Sequence, residues 1–411
     1  MKKSIVIICL TVLTAAIYPQ GSLPFLLNPQ SPLSFSAGNT GVAYLGSDEF
    51  GFYSNPAKLG IQQYANSISF ISIPKQKYYT WTVANFQNYG LKIGYDLSKS
   101  ELKIPITVGL AYLYHKFSYG IFTQTSEYGP EPISKFEIYD SFNSLSFGLG
   151  YEYLLNFHLG ITVKRFVSQL GSPIFFGDGV KSEAEGFAYD FGLLVSAPIS
   201  DLLMNNHKYY LDNVNFITPT ANFSLGAVFS NYGDEIIYLD KAQADPISRV
   251  GRLGYSIDFG IMLNLKSTEL NMINYSFSAE TEDVLIKYDN FGKYNYQSFM
   301  SDLNFVNNFI ELKSSDRIVL RKGYILNLFE TVNISSGSYK GGGFLNMRNS
   351  DGFAVSSIGI SKLLNHQIEN ETVQYILSHF AMSYYFSRSN IRNGFESNYS
   401  GISLSFHGFN F

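Results

Sequence analysis

Cysteine is almost absent from this sequence: Cys9 is the single one among 411 residues. One thiol cannot form a disulfide within the chain, which excludes a disulfide-stapled fold. Charge is scarce as well, since 15% of the residues are Asp, Glu, Lys or Arg, against roughly 25% in a typical soluble domain. The net charge of -4 comes with no basic stripe, so we expect no nucleic-acid partner.

Long apolar runs are missing too. Beyond the N-terminus, no uninterrupted apolar run reaches the roughly 18 residues that a membrane-spanning helix needs. The mean hydropathy of +0.01 is also too low for a bundle of such helices. Catalytic patterns do not stand out, because the histidines lack metal-ligand spacing and no Ser/His/Asp arrangement is evident. We therefore expect no enzymatic activity, no metal and no cofactor. The histidines are His115, His158, His207, His366, His379 and His407.

The N-terminus, "MKKSIVIICLTVLTAAIYPQ", is typical of a secretory signal. Lys2 and Lys3 precede an apolar segment that is too short to span a bilayer. We predict a signal peptide at residues 1–20, cleaved between about residues 16 and 21. The alternative is a lipid-anchored Cys9, which the apolar residues that continue after it disfavour. The sequence thus predicts an exported protein.

Strict alternation of apolar and small residues is what the chain has in abundance. In "NSLSFGLGYEYL", Leu145 and Phe147 share one parity, while Ser144, Ser146 and Gly148 share the other. Successive side chains of a strand point to opposite faces, so such a segment has one apolar face and one small, polar face. The same pattern returns at 106–114, 187–196, 223–229 and 253–265, and helical spacing fits none of these segments.

Such strands fit either a soluble sandwich or an outer-membrane barrel. The runs extend over about 9 to 14 residues, longer than the usual 5 or 6 of globular proteins. The polar face is sparsely charged, which suits a barrel lumen better than a solvated sheet. We predict an all-β transmembrane barrel of about 14 antiparallel strands at residues 63–411, in lipid of the cell outer membrane. Asp190, Arg252 and Asp258 are its lumen candidates. The two carboxylates, Asp190 and Asp258, either pair with Arg252 or Arg165 or contact a ligand.

The predicted strands alternate with long intervals that we expect at one end of the barrel, at 118–141, 168–185, 199–218, 232–250 and 282–303. The small inward residues predict no continuous apolar path through the lumen. Residues 304–312 and 342–349 are left open as further strands. The strands are predicted near 66–74, 77–86, 89–97, 104–117, 142–155, 157–168, 186–198, 219–231, 252–266, 269–281, 323–335, 352–363, 373–387 and 399–411.

The chain ends on an aromatic residue, Phe411, with Phe409 two positions before it. A terminal aromatic on a last strand resembles the signal by which the barrel assembly machinery recognises its substrates. We therefore expect that machinery as a partner and these two residues as the assembly signal.

The block "LSFSAGNTGVAYLGSDEFGFYSNPAKLG" at 33–60 precedes the first strand and is rich in glycine. Gly38 and Gly41 make a long strand or helix unfavourable. Asn55 precedes Pro56 and Ala57, and a residue before proline is pushed extended, so these three residues predict a turn. Residues 21–62 are predicted as a hatch inside the barrel; the alternative is a simple turn that begins the first strand.

This block resembles the "aGMGgAgvA…DD…NPAgL" pattern of PorV/PorQ-like proteins in the FadL superfamily. The sequence departs from the pattern at Asn39 and in a single acidic pair, Asp48 and Glu49. The resemblance implies a 14-stranded barrel that takes part in type IX protein secretion, with secretion-system proteins or exported cargo as partners. The alternative is a FadL-like channel for hydrophobic small molecules, such as fatty acids or aromatics. A structural or adhesive surface protein is the third possibility.

Overall fold

The computed structural model describes most of the chain. The predicted signal at 1–20 and the predicted assembly residues Phe409 and Phe411 lie outside the described residues. The described ranges are 21–78, 82–99, 104–126, 129–171, 183–203, 207–238, 244–265, 268–289, 291–341, 344–365, 367–391 and 395–408.

Fourteen long antiparallel strands make up one closed sheet in the described part of the chain, which confirms the predicted fold class. Each strand pairs with its neighbours in sequence, and the last strand pairs with the first through Ser67–Ser72 and Ile402–His407. Closure satisfies the ladder of every strand, so no open sheet edge faces lipid. The strands are β1 (Ser67–Lys77), β2 (Asn85–Asp96), β3 (Ile106–Ser126), β4 (Gly129–Glu152), β5 (Asn156–Gln169), β6 (Glu183–Pro198), β7 (Phe216–Gly233), β8 (Val250–Leu265), β9 (Thr268–Val284), β10 (Ile318–Leu328), β11 (Val332–Gly341), β12 (Phe344–Ser356), β13 (Phe380–Ile391) and β14 (Phe395–His407).

The apolar parity of the strands faces outward. Leu145 and Phe147 on β4 are 59% and 42% exposed, whereas Ser144 and Ser146 between them are buried. Other strands expose the same kind of side chain at matching heights; Tyr112 lies directly opposite Leu145 in the ladder. An outward apolar band around a closed barrel is what a lipid environment requires. None of the helices in the described ranges combines the length and the hydropathy of a membrane-spanning helix.

The barrel has a terminal end, where β1 begins and β14 ends, and an opposite far end. The predicted division into long loops at one end and short turns at the other is not clean. The interval at 199–215 connects β6 to β7 at the terminal end and contains the helix Ile199–Leu203. The connection from β12 to β13 is also at the terminal end and contains Ile358–Leu364 and Glu371–His379.

Several strand predictions are wrong in detail, although the total is right. Residues 78–84 connect β1 to β2, and the predicted strand at 323–335 spans parts of two strands, β10 and β11. The predicted loop at 118–141 belongs mostly to β3 and β4, which continue beyond the apolar band. The open segment at 304–312 contains a π-helix, Phe305–Ile310, which Asn304 caps by accepting from the backbone of Asn307.

Candidate functional site: a plugged lumen above a polar vestibule

The segment Gly21–Tyr64, which we call the plug, lies against the inward faces of strands all round the barrel. It starts at the far end, where Ser22 pairs with Ile247, and descends to Gly60, which touches Gly150 near the terminal end. Its structure is a series of short helical turns, each too brief to stand alone without packing. The turns are Pro24–Leu27, Pro32–Ser36, Gly51–Tyr53, Pro56–Gly60 and Gln62–Tyr64.

The predicted turn at Asn55, Pro56 and Ala57 docks the lower plug to the barrel wall. The Asn55 side chain accepts from the Ala57 backbone N–H at 3.0 Å and so caps the helical turn Pro56–Gly60. Its amide also donates to the carbonyl of Val42 at 2.8 Å and to that of Leu193 on β6 at 3.1 Å. One buried asparagine therefore ties together two parts of the plug and one strand.

Glycines of the wall form the seat for this turn. A Cβ at Gly160 would lie 2.2 Å from the carbonyl carbon of Pro56, and one at Gly192 would lie 2.1 Å from Asn55 Oδ1. Gly109 and Gly148 meet Leu59 in the same way. The small inward residues of the alternating strands thus allow the backbone of the plug to approach that of the wall.

Gly38 and Gly41, the other two predicted hatch residues, contact the opposite side of the barrel. Gly38 has a φ of +72° and packs against Gly337 of β11, so a side chain at either glycine would collide with backbone. The Gly38 N–H donates to Ser350 Oγ of β12 at 3.0 Å. The left-handed conformation and the close approach both require glycine here.

A buried carboxylate on β9, Glu280, clamps the plug from the wall. Its Oε1 accepts from the backbone N–H groups of Gly41 and Val42, the latter at 2.6 Å. Its Oε2 accepts from Arg252 Nη2 of β8 at 2.5 Å, and the same guanidinium donates to the Asn39 carbonyl at 2.6 Å. Glu280 is completely buried, and its charge and lone pairs are satisfied by these donors instead of by water.

A second buried ion pair joins the plug to β2. Lys92 Nζ lies 2.5 Å from Glu49 Oε2, and both side chains are buried. Removing one partner of such a pair costs about 3–5 kcal/mol, because the other charge is left in a low-dielectric site. The plug also carries its own buried charges, Asp48 and Lys58. Burial raises the pKa of Asp48 and lowers the pKa of Lys58 to about 8, in spite of the attraction between the two groups.

The half of the lumen towards the far end is aromatic, and the plug fills it. Phe25 stacks on His115 at a centroid distance of 6.1 Å, and Phe35 stacks on Tyr399 at 4.2 Å. The sequence-based expectation of a lumen without an apolar path is therefore wrong, because aromatic residues replace the small inward ones near the far end. The buried wall residues of this aromatic zone are Phe86, Leu113, His115, Phe142, Phe166 and Tyr399.

Between the plug and the terminal end lies a cavity of about 1150 Å³, which we call the vestibule. Its wall is rich in amide, hydroxyl and carboxyl groups, in contrast to the aromatic zone. Part of its floor is the helix Ile358–Leu364, from which Lys362 reaches Glu330 at 2.6 Å. Among the polar lining residues are Glu152, Asn156, Asn222, Asp258, Glu269, Asn271, Asn274, Asn327, Glu330, Asn333 and Lys362.

The three predicted lumen residues all lie on the inner face but are not grouped in one site. Asp190 pairs with Lys164 at 2.6 Å, so the suggested pairing with Arg252 or Arg165 is wrong. Arg165 points outward and pairs with the exposed Glu185. Asp258 lines the vestibule and has no basic partner among the described ion pairs, so the suggested pairing with Arg252 or Arg165 is wrong for this residue too.

Asp190 also holds a bulge in the wall between β6 and β7. Its carboxylate accepts from the backbone N–H of Asn231, whose φ is +60°, at 2.9 Å. Lys164 donates to the side-chain oxygen of Asn231 at 3.0 Å. This cluster was not predictable from one sequence, because strand parity gives only the face on which Lys164 lies, whereas its partners depend on the ladder register.

The part of the chain that the structure describes contains no group of three or more metal-binding side chains. His115 belongs to the aromatic zone, and His158 Nδ1 lies 3.2 Å from the Gly60 carbonyl. His366 lies outside the described residues. His115 and His158 therefore serve packing contacts of the plug and the wall.

The closed ladder, the outward apolar band and the filled lumen define this chain as an outer-membrane β-barrel.

No family model matches the chain, and no curated protein matches it significantly. Solved structures of similar architecture include the CymD monoaromatic hydrocarbon channel, at 10% identity and a TM-score of 0.40, covering 92% of this chain and 98% of that chain. The deltaS2 mutant of the TodX monoaromatic hydrocarbon channel is 9% identical with a TM-score of 0.38, and the match covers 92% of this chain and 98% of that chain. A FadL homologue from Pseudomonas aeruginosa is 7% identical with a TM-score of 0.35, and the match covers 92% of this chain and 99% of that chain. The fold assignment rests on the strand pairing of this chain.

Proposed function

We propose that this protein is a gated outer-membrane channel for hydrophobic small molecules, such as fatty acids or aromatics. The observation that carries the proposal is the aromatic zone, a buried apolar surface inside the barrel that the plug's own side chains occupy. Phe25 and Phe35 sit where an apolar solute would find the same stacking partners. Withdrawal of the plug would free that surface for a ligand.

The contacts between plug and wall suit a gate. A barrel that only needed filling could use apolar contacts throughout, yet this plug is also held by buried polar links, among them Glu280 and the Lys92–Glu49 pair. Such links have a defined geometry and are lost together when the plug shifts. The strands do not depend on them, because each strand keeps its own ladder.

A disulfide lock tests whether the plug must move. Ser36 Oγ of the plug lies 2.5 Å from Ser335 Oγ of β11, so cysteines at these two positions can be bridged without moving the backbone far. The control pair is Ser69 with Ser405, whose hydroxyls are 2.9 Å apart and join two wall strands. Both pairs are made in a Cys9→Ser background.

The readout is uptake of oleate by a Gram-negative host that lacks its own fatty-acid channel. We expect the oxidised Ser36–Ser335 lock to abolish uptake, a reductant to restore it, and the Ser69–Ser405 bridge to leave it unchanged. Uptake that persists through the oxidised plug lock would refute the gate. Absence of oleate uptake by the unlocked protein would refute fatty acids as solutes of the channel.

A role in type IX secretion is the second candidate, and it rests on the N-terminal block and one surface feature. A hairpin of Ile286–Tyr288 and Tyr294–Tyr296 at the far end exposes aromatic side chains, with Phe291 at its tip 94% exposed. Exposed aromatic residues are typical of protein-binding surfaces. Mass spectrometry of proteins that co-purify with the barrel tests this candidate, and a Phe291→Ser variant should lose any such partner.

A further inference from the structure

The vestibule has an unbalanced charge. Its described lining includes the carboxylates of Glu152, Asp258, Glu269 and Glu330, and the single lysine Lys362. Lys362 is paired with Glu330, so the other three carboxylates have no basic partner among the described ion pairs. A concave site lined by one sign of charge concentrates ligands of the opposite sign.

Asp258 is the buried member of this set and is 4% exposed. Its Oδ1 accepts from the hydroxyl of Ser276, directly opposite on β9. Its Oδ2 has no hydrogen-bond partner of good geometry among the described residues. The Ser256 hydroxyl is nearby, and the buried ammonium of Lys58 attracts the carboxylate without forming an ion pair with it. A buried carboxylate with an unsatisfied oxygen is costly, and a cationic donor from a ligand would remove that cost.

The surroundings of Asp258 offer further acceptors. Asn222 lies directly opposite it on β7, and Asn274, two residues before Ser276, lies on the same face of β9. The side-chain oxygen of Asn274 is buried and also lacks a hydrogen-bond partner among the described residues. Facing residues of neighbouring strands have Cβ atoms about 4.5–5.5 Å apart, so a compact donor can reach more than one of these groups.

We propose that the Asp258 wall of the vestibule binds the ammonium group of a primary alkylamine. Three N–H donors on one small cation match the free oxygen of Asp258 and the amide oxygens beside it. The apolar body of such a solute would suit the aromatic zone on the other side of the plug. This inference extends the proposed channel function to a cationic class of amphiphilic solute, beside the neutral and anionic ones named above, and rests on that function for its role in the cell.

Calorimetric titration of the full-length barrel in detergent with n-hexylamine measures this binding without any transport step. We expect Asp258→Asn to weaken hexylamine binding by about tenfold or more, because the charge-assisted bond is lost. The matched control is Asp351→Asn, which removes a carboxylate paired with Arg388 on an exposed part of the wall and should leave binding unchanged. Asp258→Asn should fold, because it removes a buried charge and keeps an acceptor for Ser276.

Each other outcome overturns the inference. Equal binding by wild type and Asp258→Asn would place the amine elsewhere. Equal binding of n-hexanol would show that the chain and not the ammonium is recognised, and displacement by millimolar K⁺ would indicate an inorganic cation site. Loss of oleate uptake in the lock experiment has no bearing on this titration, so failure of the channel and failure of the amine site are distinguishable.

Discussion

Replacing Glu280 with glutamine tests whether one buried carboxylate holds the plug in place. The shape of the side chain is kept, and Oε1 still accepts from Gly41 and Val42. The new amide, however, directs N–H groups at the guanidinium of Arg252, which loses its carboxylate partner at 2.5 Å. Only the charge and one acceptor are therefore removed.

The magnitude follows from the remaining counter-ion. Breaking a buried ion pair costs about 3–5 kcal/mol. Glu282 stays 3.6 Å from Arg252 Nε, so we expect about 3 kcal/mol, the lower end of that range. The strand ladders are untouched, so the cost weakens docking of the plug and not closure of the barrel. Because 1.36 kcal/mol corresponds to a tenfold change in an equilibrium constant, the undocked population should rise roughly 150-fold.

The assay is the rate at which a maleimide modifies a cysteine at position 36, in a Cys9→Ser background. Ser36 is a residue of the plug and is completely buried against the wall while the plug is docked, so labelling requires local opening and reports the population of the open state. Glu185→Gln, which breaks the exposed pair with Arg165, is the control. It should change the rate by at most about fivefold, because exposed pairs contribute about 0–1 kcal/mol. If Glu280→Gln changes the rate no more than this control, while the barrel still migrates as a folded band, the clamp argument is refuted.

Three more substitutions test other contacts. Lys92→Met leaves a buried carboxylate unpaired, and the same labelling rate should rise by about 150-fold, from a cost of about 3 kcal/mol. Gly160→Val fills the space of the turn Pro56–Gly60, so trypsin should cleave at Lys58 in a barrel that otherwise stays folded. Leu145→Arg places a charge in lipid, and urea unfolding in vesicles should show a loss of about 2–4 kcal/mol.

Controls and contrary results separate these effects from general damage. Lys116→Met removes a half-exposed pair with Glu137 and should barely alter labelling. Leu154→Arg, in the short turn after β4, lies outside the apolar band and should cost little. A wild-type trypsin pattern in Gly160→Val would mean that the glycine seat does not position the plug. Equal stability of the Leu145 and Leu154 variants would contradict the orientation of β4 towards lipid.

The barrel itself was predictable because strand parity is written in the chain. Leu145 and Phe147 point one way and Ser144 the other whatever else surrounds them, and the length of such runs distinguishes a membrane barrel from a sandwich. Strand boundaries were less predictable. Residues 304–312 alternate too weakly to exclude a strand, and the π-helix there depends on a cap, Asn304, that only the folded loop positions.

The inside of the barrel was harder to predict. The N-terminal block marks glycines and the Asn55 turn, but their partners, such as Gly160 and Leu193, are distant in sequence. Glu280 was missed, although its parity with Ser276 and Ser278 already signals an inward charge. The aromatic zone was missed as well, because inward phenylalanines near a strand end look like interfacial aromatics until the plug is seen against them.

By itself, then, the sequence determined the alternation, the length of the strands and the apolar outer face, all of which are local consequences of side-chain order. The tertiary structure alone decided which inward charges meet. Asp190 finds Lys164 on the adjacent strand, Arg252 finds Glu280, and Asp258 is left facing a cavity. The physical reason is that strand parity fixes the face of a residue, whereas its partner depends on ladder register and on the path of the plug across the closed sheet.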